Sequence, residues 1–204
     1  MKNIKILTYA KIIFFILLMA IAIIYPKNLF DFILTDMITS IFKNSIFLTL
    51  AKFISHLLHD KILLLLMGIL GIFLFFIKEY KKSIFILGSA FFSASITLIL
   101  KHIIGRVRPL PDVFSGGSFP SGHSVVVVVF FMALIFVINK KNLLKKLFTV
   151  SIILIGFSRL VLGAHYFTDV LAGMLLGSIF IDLMKEYYLK LYTIFSNITG
   201  LEDE

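Results

Sequence analysis

Apolar residues run through this chain in long unbroken blocks rather than alternating or keeping to one helical face. The first block extends from Ile4 to Tyr25, is interrupted by Lys11 and is stopped by Pro26. Further blocks are Ile62 to Ile77, Ser83 to Leu100, Ser124 to Ile138, Leu147 to Phe157 and Val170 to Ile181. Crossing a bilayer core of roughly 30 Å takes about 20 helical residues. The pattern predicts six membrane-spanning helices, the shorter blocks extending into flanking polar sequence. Val125 to Val129 would suggest a strand in water, but inside a bilayer backbone hydrogen bonds must close within the segment, so a helix is expected.

The segment from Lys27 to Lys61 differs. Ser45, Thr49, Lys52, His56 and His59 recur at intervals of four and three among Ile46, Phe47, Leu50, Phe53, Ile54, Leu57 and Leu58. One polar stripe on an apolar helix is the pattern of a helix lying in the membrane interface. His56 and His59 have helical spacing for a shared metal, but no carboxylate or third His is arranged around them in sequence, so they are read as a polar face. The expected fold is an all-α integral membrane protein: a six-transmembrane-helix bundle with an outer interfacial amphipathic helical segment. With no repeat or low-complexity linker, residues 1–204 are read as one domain.

Composition agrees. The chain is 60% hydrophobic and 15% charged, where a soluble domain averages roughly 45–50% and 25%. This excludes a soluble globular enzyme and a disordered chain. The absence of Cys removes disulfides, thiolate nucleophiles and Cys-ligated metals. A net charge of +9 would suggest nucleic acid in a soluble protein; here most Lys residues end apolar blocks, as snorkelling and orientation signals do, so no nucleic-acid partner is expected.

Eleven lysines (Lys2, Lys5, Lys78, Lys81, Lys82, Lys140, Lys141, Lys145, Lys146, Lys185 and Lys190) fall on one side of the predicted spans. Eight cationic residues, spread over longer segments, fall on the other. The lysine-rich side reads as cytoplasmic and holds both termini. Ala20-Ile21-Ala22 resembles a signal-peptidase site, but the apolar run continues past it and the first span is expected to remain as an anchor.

Ionisable side chains at the centre of a span cost roughly 2.5–3.5 kcal/mol each, less near the ends, and here they collect. Lys101 ends the third span and Arg108-Pro109 follows it. Pro120-Ser121-Gly122-His123 opens the fourth, Ser158-Arg159 lies near the end of the fifth, and His165 and Asp169 start the sixth. Alternating spans put these four segments on the same outer face. Three cations to one carboxylate is the wrong balance for Mg²⁺ or Zn²⁺ and the right one for an anion. Arg forks match phosphate oxygens, and Pro120 as a first-turn residue would aim N–H groups near Ser121 and Gly122 at an anion. His165 and Asp169, one helical turn apart, prepare a nucleophile or base, and His123 is a second proton carrier.

Taken singly, most of these residues have plainer explanations: Lys101 as an anchor, a His as an interface residue, Asp112 as a turn former. His102 and Arg106 are left with those plainer readings. Gly173 and Gly177 form a small-xxx-small pair for close helix packing.

Lys101 with Arg108-Pro109, Pro120-Ser121-Gly122-His123, and Ser158-Arg159 with His165 and Asp169 together resemble the three signature motifs of the type 2 phosphatidic acid phosphatase family, complete and in order over Lys101 to Asp169. Val107 stands where the family often has Pro. The resemblance implies that Lys101, Arg108 and Arg159 bind phosphate oxygens, with Ser121 and Gly122 helping to cradle them. It implies that His165 attacks phosphorus to form a phosphohistidine, Asp169 holds the His165 tautomer and His123 protonates the leaving oxygen. No metal and no other cofactor is implied.

An outer-face site beside the hydrocarbon suits a lipid phosphate whose chain stays in the bilayer. The resemblance suggests a bacterial inner-membrane lipid phosphatase or pyrophosphatase. Undecaprenyl pyrophosphate and phosphatidylglycerophosphate are the leading substrates, and lipid A the alternative. An anion channel or transporter is a rival that leaves His123 and the His165–Asp169 pair without a role. A vanadium-dependent haloperoxidase shares the motif residues, but those enzymes are mostly soluble. The sequence does not determine oligomeric state.

Overall fold

Tracts this apolar satisfy their backbone groups as helices, and the computed structural model, which describes residues 2–138 and 141–203, is all-helical. Lys140, one of the lysines counted above, lies outside the described residues. Eight helices occur among them: α1 (Lys2–Ile24), α2 (Leu29–Phe42), α3 (Ile46–Leu57), α4 (Asp60–Phe76), α5 (Tyr80–Ile104), α6 (Gly122–Val137), α7 (Lys141–Val161) and α8 (Phe167–Thr199).

Four apolar stretches among the described residues are long enough to cross a bilayer: Lys5–Ile24, Ile46–Phe76, Tyr80–Ile104 and Phe167–Thr199. The second contains α3 and α4 with a break at Leu58 and His59. Helix α6 is apolar but has 16 residues, a length of about 24 Å. It is the centre of the fold, with α4, α5, α7 and α8 packed around it, and Val125 to Val129 are all buried. The valines thus form the interior of a helix. Large apolar side chains cover the outside of the bundle, among them Ile13, Phe76, Leu98 and Ile153, a surface suited to lipid.

Two glycines set the α6–α8 approach. A Cβ on Gly173 would stand 2.6 Å from the Ser121 carbonyl oxygen, and one on Gly177 would stand 2.6 Å from that of Val125. The small-xxx-small pair brings backbone against backbone, as its spacing predicts. Lys11, the interruption in the first block, is partly buried against α8 and pairs with Asp182 at 2.7 Å. Lys5 pairs with Glu186 and Lys81 with Asp203. The start of α1, the start of α5 and the tail after α8 therefore gather at one end.

The Lys27–Lys61 segment forms two helices rather than one. On α3 the expected polar positions Thr49, Lys52 and His56 are exposed, while Ala51 and Ser55 are buried where α3 packs on α7.

Candidate active site

Gly105 ends α5 in the left-handed conformation (φ 57°), its N–H donating to the Lys101 carbonyl. The chain therefore leaves the helix just after Lys101 and sends Arg106 and Arg108 across the end of the bundle. Lys101 Nζ donates to the Gly117 carbonyl at 2.9 Å. Arg108 donates to the carbonyls of Gly116 at 3.1 Å and Ala164 at 2.9 Å. Arg159, buried on α7, donates to the Ser55 hydroxyl of α3. Phe114 lies against both guanidiniums, its ring centre 6.0 Å from that of Arg108 and 5.9 Å from that of Arg159. The sequence-predicted cations thus converge on one place.

The two histidines join them. Arg108 Nη1 lies 3.3 Å from His165 Nε2. A guanidinium only donates, so Nε2 accepts and the ring proton belongs on Nδ1, which faces Asp169 Oδ2 at 3.7 Å. That separation orients the ring without a direct hydrogen bond. His165 lies in the turn between α7 and α8, and burial, with Lys101 and Arg159 nearby, draws its imidazole down to about 3 from the usual 6.5. It is an uncharged ring with a lone pair available at neutral pH. Lys101 and Arg159 are within electrostatic reach of both His165 and His123.

Asp169 is held on several sides. It accepts from the Tyr166 N–H at 2.9 Å, capping α8, and from the Ser118 hydroxyl. Its Oδ1 lies 2.6 Å from Arg106 Nη1. Arg106, expected to be a polar interface residue, is instead 2% exposed and is the clearest correction to the sequence reading. Its Nη2 pairs with Asp31 of α2 at 2.8 Å and its Nε donates to the Pro26 carbonyl at 2.9 Å. Thr168 bonds Asp31 through both its N–H and its hydroxyl. One buried guanidinium thus bridges two buried carboxylates. Their separation in sequence hides the link; the only local sign is a charged residue two positions from Arg108.

Pro120 is not a first-turn residue. Ser121 is the extended N-cap (φ −68°, ψ 111°) and α6 begins at Gly122, because the Ser121 N–H is tied to the Asp169 carbonyl at 3.0 Å. The Ser121 hydroxyl accepts from Ser124 at 2.9 Å.

Sequence reasoning also misses Asp60. It starts α4, and its Oδ2 lies 3.7 Å from His123 Nδ1. His59, read as part of a polar stripe, packs its ring edge-on to His123 with centres 4.9 Å apart. Potential metal-ligating atoms of His59, Asp60 and His123 lie within 4.8 Å of one another, the one such group among the described residues. The carboxylate is the residue next to His59 in sequence, the second imidazole comes from α6, and His56 is not part of the group.

Comparison with known proteins follows the same lines. The PAP2 superfamily profile matches residues 62–192. The phosphatidylglycerophosphatase B of Bacillus subtilis is 34% identical over 145 residues, 66% of this chain and 71% of that protein. A lipid A 1-phosphatase of Rhizobium etli is 36% identical over 112 residues, 48% of this chain and 47% of its own length, so this chain spans about half of that relative. Among solved structures, a transmembrane PAP2 type phosphatidylglycerolphosphate phosphatase from Bacillus subtilis superposes with a TM-score of 0.75 at 28% identity, covering 90% of this chain and 96% of that one. The Aquifex aeolicus LpxE structure shares the fold with a TM-score of 0.64 at 22% identity, covering 80% of this chain and 99% of its own.

Proposed function

The chain belongs to the PAP2 superfamily and is a lipid phosphatase, and we propose that it releases phosphate through a phosphohistidine formed on His165. The observation that carries this reading is the orientation of His165, with Nε2 toward Arg108 and Nδ1 toward Asp169. Nε2 attacks phosphorus while Asp169 keeps the proton on Nδ1. Lys101, Arg108 and Arg159 stabilise the charge on the equatorial phosphate oxygens, the larger part of the catalytic task. His123 protonates the leaving oxygen, and water then releases phosphate. Ser121 and Gly122 help to cradle the phosphate oxygens.

The reaction runs without a metal. The His59–Asp60–His123 group has one carboxylate, and that carboxylate is within electrostatic reach of Lys101, Arg108 and Arg159, a field that opposes a divalent ion and attracts a phosphate.

We read α1, α4, α5, α6, α7 and α8 as six crossings of a bacterial inner membrane, forming a single domain with α2 and α3 on the outer side. The site then lies on the periplasmic face and both termini in the cytoplasm. The pairing of Lys81 with Asp203 supports that arrangement by tying the tail to the lysine-rich α4–α5 turn. Phosphatidylglycerophosphate and undecaprenyl pyrophosphate are the substrates we favour, with lipid A phosphate next, by analogy with the named relatives.

The test is phosphate release in EDTA from a panel of these lipids by the purified protein in detergent. Wild type is expected to turn over at least one lipid, orthovanadate to inhibit, and His165→Ala to be inactive. Activity that vanishes with chelation and returns with added metal overturns the metal-free mechanism.

A further inference from the structure

We propose that Asp60 is the positioning carboxylate of His123, giving the site a second imidazole–carboxylate pair. The proposal rests on the lipid phosphatase reading above and deepens it. His123 Nδ1 stands 3.7 Å from Asp60 Oδ2, and His165 Nδ1 stands 3.7 Å from Asp169 Oδ2. In both pairs Nδ1 faces a carboxylate. On His123 the other nitrogen, Nε2, is buried and has no hydrogen-bond partner.

Asp60 is itself held in place. Its Oδ1 accepts from the Lys61 N–H at 2.9 Å, an N–H that His59 Nδ1 also accepts at 3.2 Å, which leaves Oδ2 to face His123. As the first residue of α4 it lies at the positive end of that helix, where a carboxylate is stabilised. Gly122 makes the approach possible: a Cβ there would stand 3.2 Å from Asp60 Oδ2. The glycine before His123 thus leaves room for the carboxylate.

The chemistry explains why such a partner is needed. An acid at His123 is an imidazolium, and it stands near Lys101 and Arg159. Asp60 is the countercharge facing it. As the phosphorus–oxygen bond breaks, its electron pair stays on the lipid oxygen, which takes the proton from Nε2 of His123. The ring is left neutral, with Nδ1–H still facing Asp60. When water attacks the phosphohistidine, the phosphorus–nitrogen pair returns to His165 and the water proton goes to His123 Nε2, restoring the acid.

The test compares two substrates that differ in their need for an acid: a phosphatidic acid, which leaves as an alkoxide, and a nitrophenyl phosphate carrying an acyl chain, which leaves as a stabilised phenolate. Asp60→Asn is expected to lower kcat on phosphatidic acid by about 10-fold to 100-fold, part of the range for general acid catalysis, with KM changed by less than about 3-fold. On the nitrophenyl substrate the loss is expected to stay within about 3-fold. Asp60→Glu restores part of kcat. In a His123→Ala background Asp60→Asn adds no further loss.

Equal losses on both substrates, a change confined to KM, or full additivity with His123→Ala overturns the proposal. So does wild-type activity that is abolished by EDTA and restored by Zn²⁺, which assigns the three residues to a metal. A wild type that releases no phosphate from any lipid phosphate, or a His165→Ala variant that keeps full activity, overturns the underlying reading instead.

Discussion

Arg106 Nη1 meets Asp169 Oδ1 at 2.6 Å, deep inside the protein, while Nη2 of the same guanidinium meets Asp31 Oδ2 at 2.8 Å. The carboxylate that faces His165 is therefore anchored through Arg106 to the start of α2. Removing one member of a buried ion pair costs about 3–5 kcal/mol, because the remaining charge is stranded. Arg106→Ala is expected to destabilise the fold by that order, seen as a lower thermal unfolding midpoint in detergent, and to reduce kcat. Arg106→Lys should recover little, since an ammonium cannot serve two carboxylates with a planar fork. An unchanged midpoint in Arg106→Ala contradicts the anchoring role.

Asp169→Asn separates orientation from charge balance at His165. An amide can donate to Nδ1 and so move the ring proton to Nε2, which removes the attacking lone pair. A loss on the order of 10⁴-fold in kcat is expected by analogy with nucleophile-base triads. Rapid-quench trapping should find the acid-labile phosphohistidine in wild type and almost none in the variant. A normal yield of phosphoenzyme from Asp169→Asn would falsify the tautomer argument.

The depressed pKa of His165 has its own signature. Burial penalises the imidazolium, so the ring stays neutral as pH falls through the ordinary value of 6.5 and takes a proton only near about 3. The unfolded chain binds that proton at higher pH, so this group lowers stability as pH drops through the window between those values. The His165 ring signal in nitrogen NMR, assigned by its loss in His165→Ala, is expected to keep neutral-imidazole shifts from pH 8 down to pH 5. A titration midpoint near the ordinary value would contradict this.

Two glycines give opposite forecasts. Gly173→Ala drives a methyl group against the backbone oxygen of Ser121 at 2.6 Å, and overpacking of this kind costs about 1–3 kcal/mol. Gly68, on α4, has open space within 4 Å of where a methyl group would stand, so Gly68→Ala should be neutral or stabilising by up to about 1 kcal/mol through helix propensity. Unfolding midpoints of the two variants, measured side by side, test the difference.

The apolar blocks mark where α1 and α4 to α8 run, because bilayer helices declare themselves through composition. Their ends are less legible. Helix α8 continues from Ile181 to Thr199 through a stretch mixing Lys190 with Tyr187 and Leu191, which hydropathy alone does not extend. Alternation of spans also puts Lys101, Arg108, Arg159, His123, His165 and Asp169 at one end without any contact being known. It puts Asp31 and Asp60 on the same outer side, in the segment between the first two predicted spans, but gives no sign that either reaches the site. Arg106 escapes sequence reading for a related reason: its partner Asp31 is 75 residues away, and a cation's burial depends on the partner that reaches it.

Lys101, Arg108 and Arg159 spend their hydrogen bonds on neutral acceptors: the carbonyls of Gly116, Gly117 and Ala164, and the hydroxyl of Ser55. Arg106, besides its bonds to the Pro26 carbonyl and the Thr168 hydroxyl, is paired with two carboxylates. A phosphate dianion competes easily with a carbonyl for a guanidinium and poorly with an established pair of anions. The protein thereby sorts four cations into one that is permanently engaged and three that remain in reserve, and a guest headgroup is greeted only by the latter.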